Sequence, residues 1–78
     1  MNLKLLASRL HAELDAMDFP SRLDERVIAF SKLVKIPRFQ AESILNGTKM
    51  PDETLLKHIA DELEVTVTWL CGDHETRH

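Results

Sequence analysis

At 78 residues the chain has room for one domain with a single small core and not for a second. Its 44% hydrophobic and 29% charged residues exclude a disordered chain, which carries fewer apolar groups and a larger net charge, and the formal charge of -3 excludes a uniformly basic surface. No apolar run approaches the roughly 20 residues of a membrane span. Lys4, Arg9, His11, Glu13 and Asp15 interrupt residues 1–17, which argues against a signal-peptide core and makes the cytoplasm the expected compartment. Cys71 is the only cysteine, so no internal disulfide can form, and a small, buried, unreactive side chain is expected there.

Five helices are predicted. Leu3, Leu6, Leu10, Leu14 and Met17 recur at spacings of three and four, giving a first helix over about residues 2–17 with one apolar stripe. Asp18, Phe19 and Pro20 end it, because proline disfavours helical geometry in the residue before it. Ser21, with Asp24 three residues on, resembles a capping box for a second helix reaching about Val34, whose buried edge is Val27, Phe30, Ser31 and Val34. Pro37 suits the first turn of a third helix that stops before Gly47.

Asp52 is the expected N-cap of a fourth helix, which runs to about Glu64 and buries Leu55, Leu56, Ile59, Ala60 and Leu63. Thr66 caps a short fifth helix to Cys71, ended by Gly72. Residues 65–68 come nearest to a strand pattern but lie between helical signals. The organisation expected is one domain over residues 1–72 and a fraying tail over 73–78.

The charge is unevenly placed. Residues 21–50 sum to +3 through Arg22, Arg26, Lys32, Lys35, Arg38 and Lys49, whereas residues 51–78 sum to -5. Such polarity orients a molecule on a polyanion through its local field, whatever the total. Residues 27–47 also have the spacing of two short helices packed across a tight turn, with Phe30, Val34, Ile36, Ala41 and Ile44 turned to a common core. A helix presented in that way has the width to enter a DNA major groove.

This order of residues resembles the phage-repressor helix-turn-helix family, the lambda-repressor-like domain of Cro and cI proteins, from about Leu3 to Gly72. The pieces that carry the resemblance are Ile44, Leu45, Asn46 and Gly47, similar to the end of that family's recognition helix, and the run Pro51–Leu70 with its closing Trp69-Leu70 pair. The resemblance implies an all-α, compact five-helix domain and a sequence-specific regulator of transcription, in the main a repressor, working as a weak dimer on double-stranded DNA. Three positions depart from the family pattern. Lys35 replaces the usual turn glycine and would have to take a left-handed conformation costing about 1 kcal/mol. Ser31 stands where the family has a small residue at the helix contact, still small but with a hydroxyl that needs a partner, for which a backbone carbonyl one turn earlier is a candidate. Val27 stands where a polar residue such as glutamine touches phosphate.

On this reading the base-contacting face of the third helix is Arg38, Phe39, Glu42, Ser43 and Asn46. Arg38 has the planar fork that reads guanine O6 and N7, Phe39 can pack on thymine methyls, and Glu42 can accept from cytosine N4. Alternatively, Phe39 folds back beside Val34. Arg22, Arg26, Lys32, Lys35, Thr48 and Lys49 are expected at phosphates, and Val67, Leu70 and Cys71 at the dimer contact. The alternative function is a protein-interaction module on the same scaffold, with Phe39 and Glu42 docking a protein partner. A further possibility is that these residues belong to a longer architecture, since the Trp69-Leu70 pair in this family often precedes a linker to an oligomerisation domain.

Cys71, His74 and His78 have a spacing open to zinc but find no fourth ligand, so no metal or cofactor is expected. With no glycine-rich phosphate loop and no nucleophile paired with a base, neither is catalysis.

Overall fold

The computed structural model describes residues 2–72, and all the regular structure within them is helical. In chain order α1 spans Leu3–Ala16, α2 Leu23–Val34, α3 Arg38–Leu45, α4 Glu53–Leu63 and α5 Val67–Leu70. The tail over 73–78, with His74 and His78 of the zinc-like spacing, lies outside the described residues.

Side chains start three of these helices. Asn2 Oδ1 accepts from the amides of Lys4 and Leu5 at 3.0 and 3.1 Å, Asp52 Oδ1 from Leu55 at 2.8 Å, and Thr66 Oγ1 from Trp69 at 3.1 Å. Each satisfies amides that the first helical turn leaves without a partner. The capping box expected at Ser21 does not form. The first helical bond of α2 runs from Arg26 N to Arg22 O, so Arg22 takes the cap position without a side-chain bond. Asp24 turns instead to the Glu25 amide and to the Arg22 guanidinium, while Arg26 Nε, 2.7 Å from Pro20 O, holds the preceding linker down.

A single device ends α1, α2, α3 and α4. One residue swings into the left-handed region, and the next amide reaches back five residues to a carbonyl left over from the last turn. The left-handed residues are Asp18 (φ 61°), Lys35 (φ 60°), Gly47 (φ 72°) and Glu64 (φ 59°). The returning bonds are Phe19 N to Leu14 O, Ile36 N to Ser31 O, Thr48 N to Ser43 O and Val65 N to Ala60 O, all between 3.0 and 3.1 Å. In three cases the returning residue is apolar, and Phe19, Ile36 and Val65 tuck into or against the core. Each stop therefore closes the helix and plugs the space beneath it.

The core is centred on Leu6, Leu10 and Leu14 of α1, with Phe30 and Val34 of α2, Ala41 and Ile44 of α3, Ile59 of α4 and Leu70 of α5 packed around them. Ser31 is buried where α2 meets α3, and its hydroxyl donates to Ile28 O at 2.8 Å, the bond its position requires. Met17, expected on the apolar stripe, is exposed because α1 stops at Ala16 and Phe19 returns in its place. Across the bundle Arg9 closes α1 on α5, its guanidinium carbon 4.9 Å from the centroid of the Trp69 ring and one of its nitrogens donating to Trp69 O. Among the described residues no helix is long and apolar enough to cross a membrane.

The left-handed stops make a stability test. Lys35→Gly is expected to raise the unfolding free energy by up to about 1 kcal/mol, because relief of backbone strain outweighs the added entropy of the unfolded chain. Gly47→Ala is expected to lower it by about 1 kcal/mol or more, since a Cβ there takes up the same strain and lies 3.4 Å from Ala7 Cβ. Urea unfolding followed by circular dichroism measures both; a destabilised Lys35→Gly would show that the strain is not there to relieve.

Candidate nucleic-acid interface

The outward face of the molecule at α3 is built by α2. Lys35, Ile36 and Pro37 form the turn between the two helices, and α3 then has no choice of face: Ala41, Ile44 and Leu45 are buried, which turns Arg38, Phe39, Glu42 and Asn46 outward. Phe39 is 73% exposed and does not fold back beside Val34. Arg38, Phe39 and Glu42 line one side of an open recess of about 230 Å³, and Leu23, Asp24 and Val27 of α2 line the other. Neither Arg38 nor Glu42 takes part in an ion pair among the described residues, so both keep their charges unpaired on this face.

Two hydroxyls expected to reach outward have their protons engaged within the chain. Ser43 Oγ donates to Phe39 O at 3.0 Å and Thr48 Oγ1 donates to Ser43 O at 3.1 Å, which leaves both groups as acceptors. A phosphate needs donors, so Thr48 would have to give up its bond to Ser43 O to reach one, and Ser43 in this arrangement accepts, as from a base amino group. The backbone around them is set by Gly47, which takes the left-handed conformation without strain and lies beside Leu3 and Ala7 of α1.

Arg26 is also corrected. Expected at phosphates, it is 4% exposed, with its guanidinium spent inside the protein. Nε donates to Pro20 O, Nη1 to His11 Nδ1 at 3.0 Å, and Nη2 to the Asp15 carboxylate. For His11 Nδ1 to accept, the ring must carry its proton on Nε2, which then donates to Leu45 O at 3.0 Å. One chain of bonds thus runs from α2 through α1 to the last residue of α3, tying the end of the outward helix to the core. Spacing along a helix could not separate Arg26 from Arg22; the burial of neighbouring Val27 was the available signal.

Arg22, Lys32, Lys35 and Lys49 remain as exposed cations, Arg22 paired at 3.3 Å with the equally exposed Asp24. Such an exposed pair is worth little and opens readily to a stronger anion. At the far end of the bundle the expected dimer contact loses its centre: Leu70 is fully buried, and Val67 and Cys71 are only partly exposed. Comparisons with protein-family models, curated proteins and solved structures give no match.

Arg22 and Arg26 look alike in the sequence, and a pair of variants separates them. Arg26→Met is expected to cost about 2–4 kcal/mol, because it leaves the Pro20 carbonyl and His11 ring without their donor. Arg22→Met should stay within about 0.5 kcal/mol of the parent. Equal unfolding midpoints for the two variants would contradict the buried network.

Proposed function

We propose that the protein is a sequence-specific regulator that binds double-stranded DNA, acting in the main as a repressor, with α3 inserted in the major groove. The observation that carries this reading is the outward face of α3, where an unpaired arginine, an exposed phenylalanine, an unpaired glutamate and an asparagine stand within three turns on a rigidly backed helix. These are the chemistries that base edges answer: guanine acceptors, a thymine methyl and amino donors. Lys32, Lys35 and Lys49 supply the phosphate term, with Arg22 joining them when its exposed pair opens. The resemblance of the helix order to phage-repressor domains supports the same assignment.

Selection from random duplexes tests the proposal. An enriched motif is expected, bound more tightly than the about 10⁻⁴–10⁻⁶ M of non-specific contacts. Arg38→Ala should cost about 1–3 kcal/mol on the selected site and relax preference at one base pair. Lys49→Ala should weaken all sequences alike and reduce the salt slope by about one. If no motif is enriched, the proposal fails.

One observation favours a second reading, a protein-docking module on the same scaffold: an exposed phenylalanine such as Phe39 carries a large apolar surface into water. Glu42→Gln separates the two. It shifts base preference at one position if α3 reads DNA, and only raises non-specific affinity, by removing a repelled charge, if it does not.

Stoichiometry follows from the burial of Leu70. With Leu70 in the core, only the partly exposed Val67 and Cys71 remain of the expected contact, so two copies should be held together by two half-sites more than by each other. Sedimentation should find a monomer at micromolar concentration and two copies on a duplex with an inverted repeat. One copy per duplex at saturation would rule out this arrangement.

A further inference from the structure

Asn46 and Gly47 form the single Asn-Gly step in the chain, and it falls where α3 stops. The pair is chemically labile, because glycine carries no Cβ to shield its nitrogen from the neighbouring carboxamide. The Gly47 nitrogen attacks Cγ of Asn46, the Cγ–Nδ2 bond breaks, and ammonia leaves with the proton of the Gly47 amide, which closes a cyclic imide. Water then opens either imide C–N bond. Opening at Cγ gives aspartate, and opening at the main-chain carbonyl gives isoaspartate, whose backbone runs through Cγ.

The fold holds one reactant and leaves the other free. Asn46 is exposed, and among the described residues no hydrogen bond restrains its carboxamide. The Gly47 amide, in contrast, donates to Ile44 O at 3.1 Å, and the next two amides, of Thr48 and Lys49, both return to Ser43 O at 3.0 and 3.3 Å. With ψ at -9°, the Asn46 nitrogen and not its Cβ is eclipsed with the Gly47 nitrogen, so Cβ and the carboxamide beyond it are carried about a third of a turn from the ring-closing position. Closure therefore needs rotation about the Asn46 Cα–C bond, loss of the bond to Ile44 O, and displacement of the left-handed Gly47 (φ 72°) from its place beside Leu3 and Ala7 of α1. All three are events of an opened helix stop.

We infer that Asn46 is a site of spontaneous deamidation gated by opening of the α3 stop. The product puts a carboxylate at the C-terminal end of α3, where the helix dipole already places partial negative charge, so the end that reacts is loosened further. Isoaspartate adds a methylene to the main chain of the same turn. The consequence for DNA, repulsion of phosphate from the outward face, rests on the proposed function; the site and its gate do not.

Incubating the full chain at mildly alkaline pH, in buffer and in urea above the unfolding midpoint, and mapping aspartate and isoaspartate by peptide mass spectrometry, tests site and gate together. Product at residue 46 is expected to form about tenfold or more slowly in the folded chain, with its rate rising at urea concentrations below the global transition. No product at residue 46 from the unfolded chain would overturn the site, and equal folded and unfolded rates would overturn the gate. Asn46→Asp, the aspartate product made directly, should unfold at a lower urea concentration than the parent and bind the selected duplex about three- to tenfold more weakly. An unfolding midpoint equal to the parent's would overturn the loosening of α3. A lowered midpoint with unchanged duplex affinity would overturn the placement of Asn46 at DNA and leave the site and its gate standing.

Discussion

The guanidinium of Arg26 lies where three parts of the chain must be held at fixed distances. It bonds the linker carbonyl of Pro20, the ring of His11 and the carboxylate of Asp15, and His11 passes the connection on to Leu45 O at the end of α3. A core mainly of leucine, isoleucine and valine, with Phe30 and Trp69, sets how much apolar surface is buried, but dispersion and hydrophobic forces have little directional content. Hydrogen bonds to a planar, five-donor group do have direction. The depth at which α2 lies on α1, and the place where α3 ends, are therefore specified more sharply by this buried cation than by the surrounding packing. Among the described residues every buried side-chain polar atom has a partner, so the network imposes no orphaned group on the core.

The helix stops supply the angles that this tie then holds. Lys35 in a left-handed conformation turns the chain between α2 and α3 in three residues, and Ile36 returns under the end of α2. The same geometry at Asp18 and Glu64 brings Phe19 and Val65 back to the core. Three of the four stops use residues with a Cβ where glycine would be unstrained, and the compensation lies in the apolar side chain each one delivers. In this fold the backbone strain sits in the connections, and the helices themselves are free to pack regularly.

These constraints are what give the α3 face its character. A helix of eight residues has little stability of its own and takes its orientation from α2, α1 and the loop at Gly47. Once Ala41, Ile44 and Leu45 are buried, the exposure of Arg38, Phe39, Glu42 and Asn46 follows from helical periodicity. The recess between Phe39 and Leu23 is a separate consequence. It exists because α2 begins at Leu23, beyond Ser21, and sets that side chain opposite the first turn of α3.

The sequence by itself determined the number and order of the helices and most of their limits, while the outward turn of Phe39 was left open. Apolar residues at spacings of three and four marked α1 and α4, Asp52 and Thr66 marked two starts, Gly47 marked a stop, and Ser31 announced its bond to a carbonyl one turn back. Those signals are local: they depend on residues within one or two turns, so a linear reading captures them. Tertiary structure alone decided which of the basic residues are surface charges and which of the apolar ones are surface. Arg26 and Arg22 look alike in the chain, yet one meets His11 and Asp15 across the bundle and the other meets only Asp24. Leu70 is taken into the core and Met17 left outside it, because Trp69 is clasped by Arg9 and α1 ends a residue early. Contacts between residues far apart in sequence depend on how the helices are set against one another, and no spacing within a single helix contains that information.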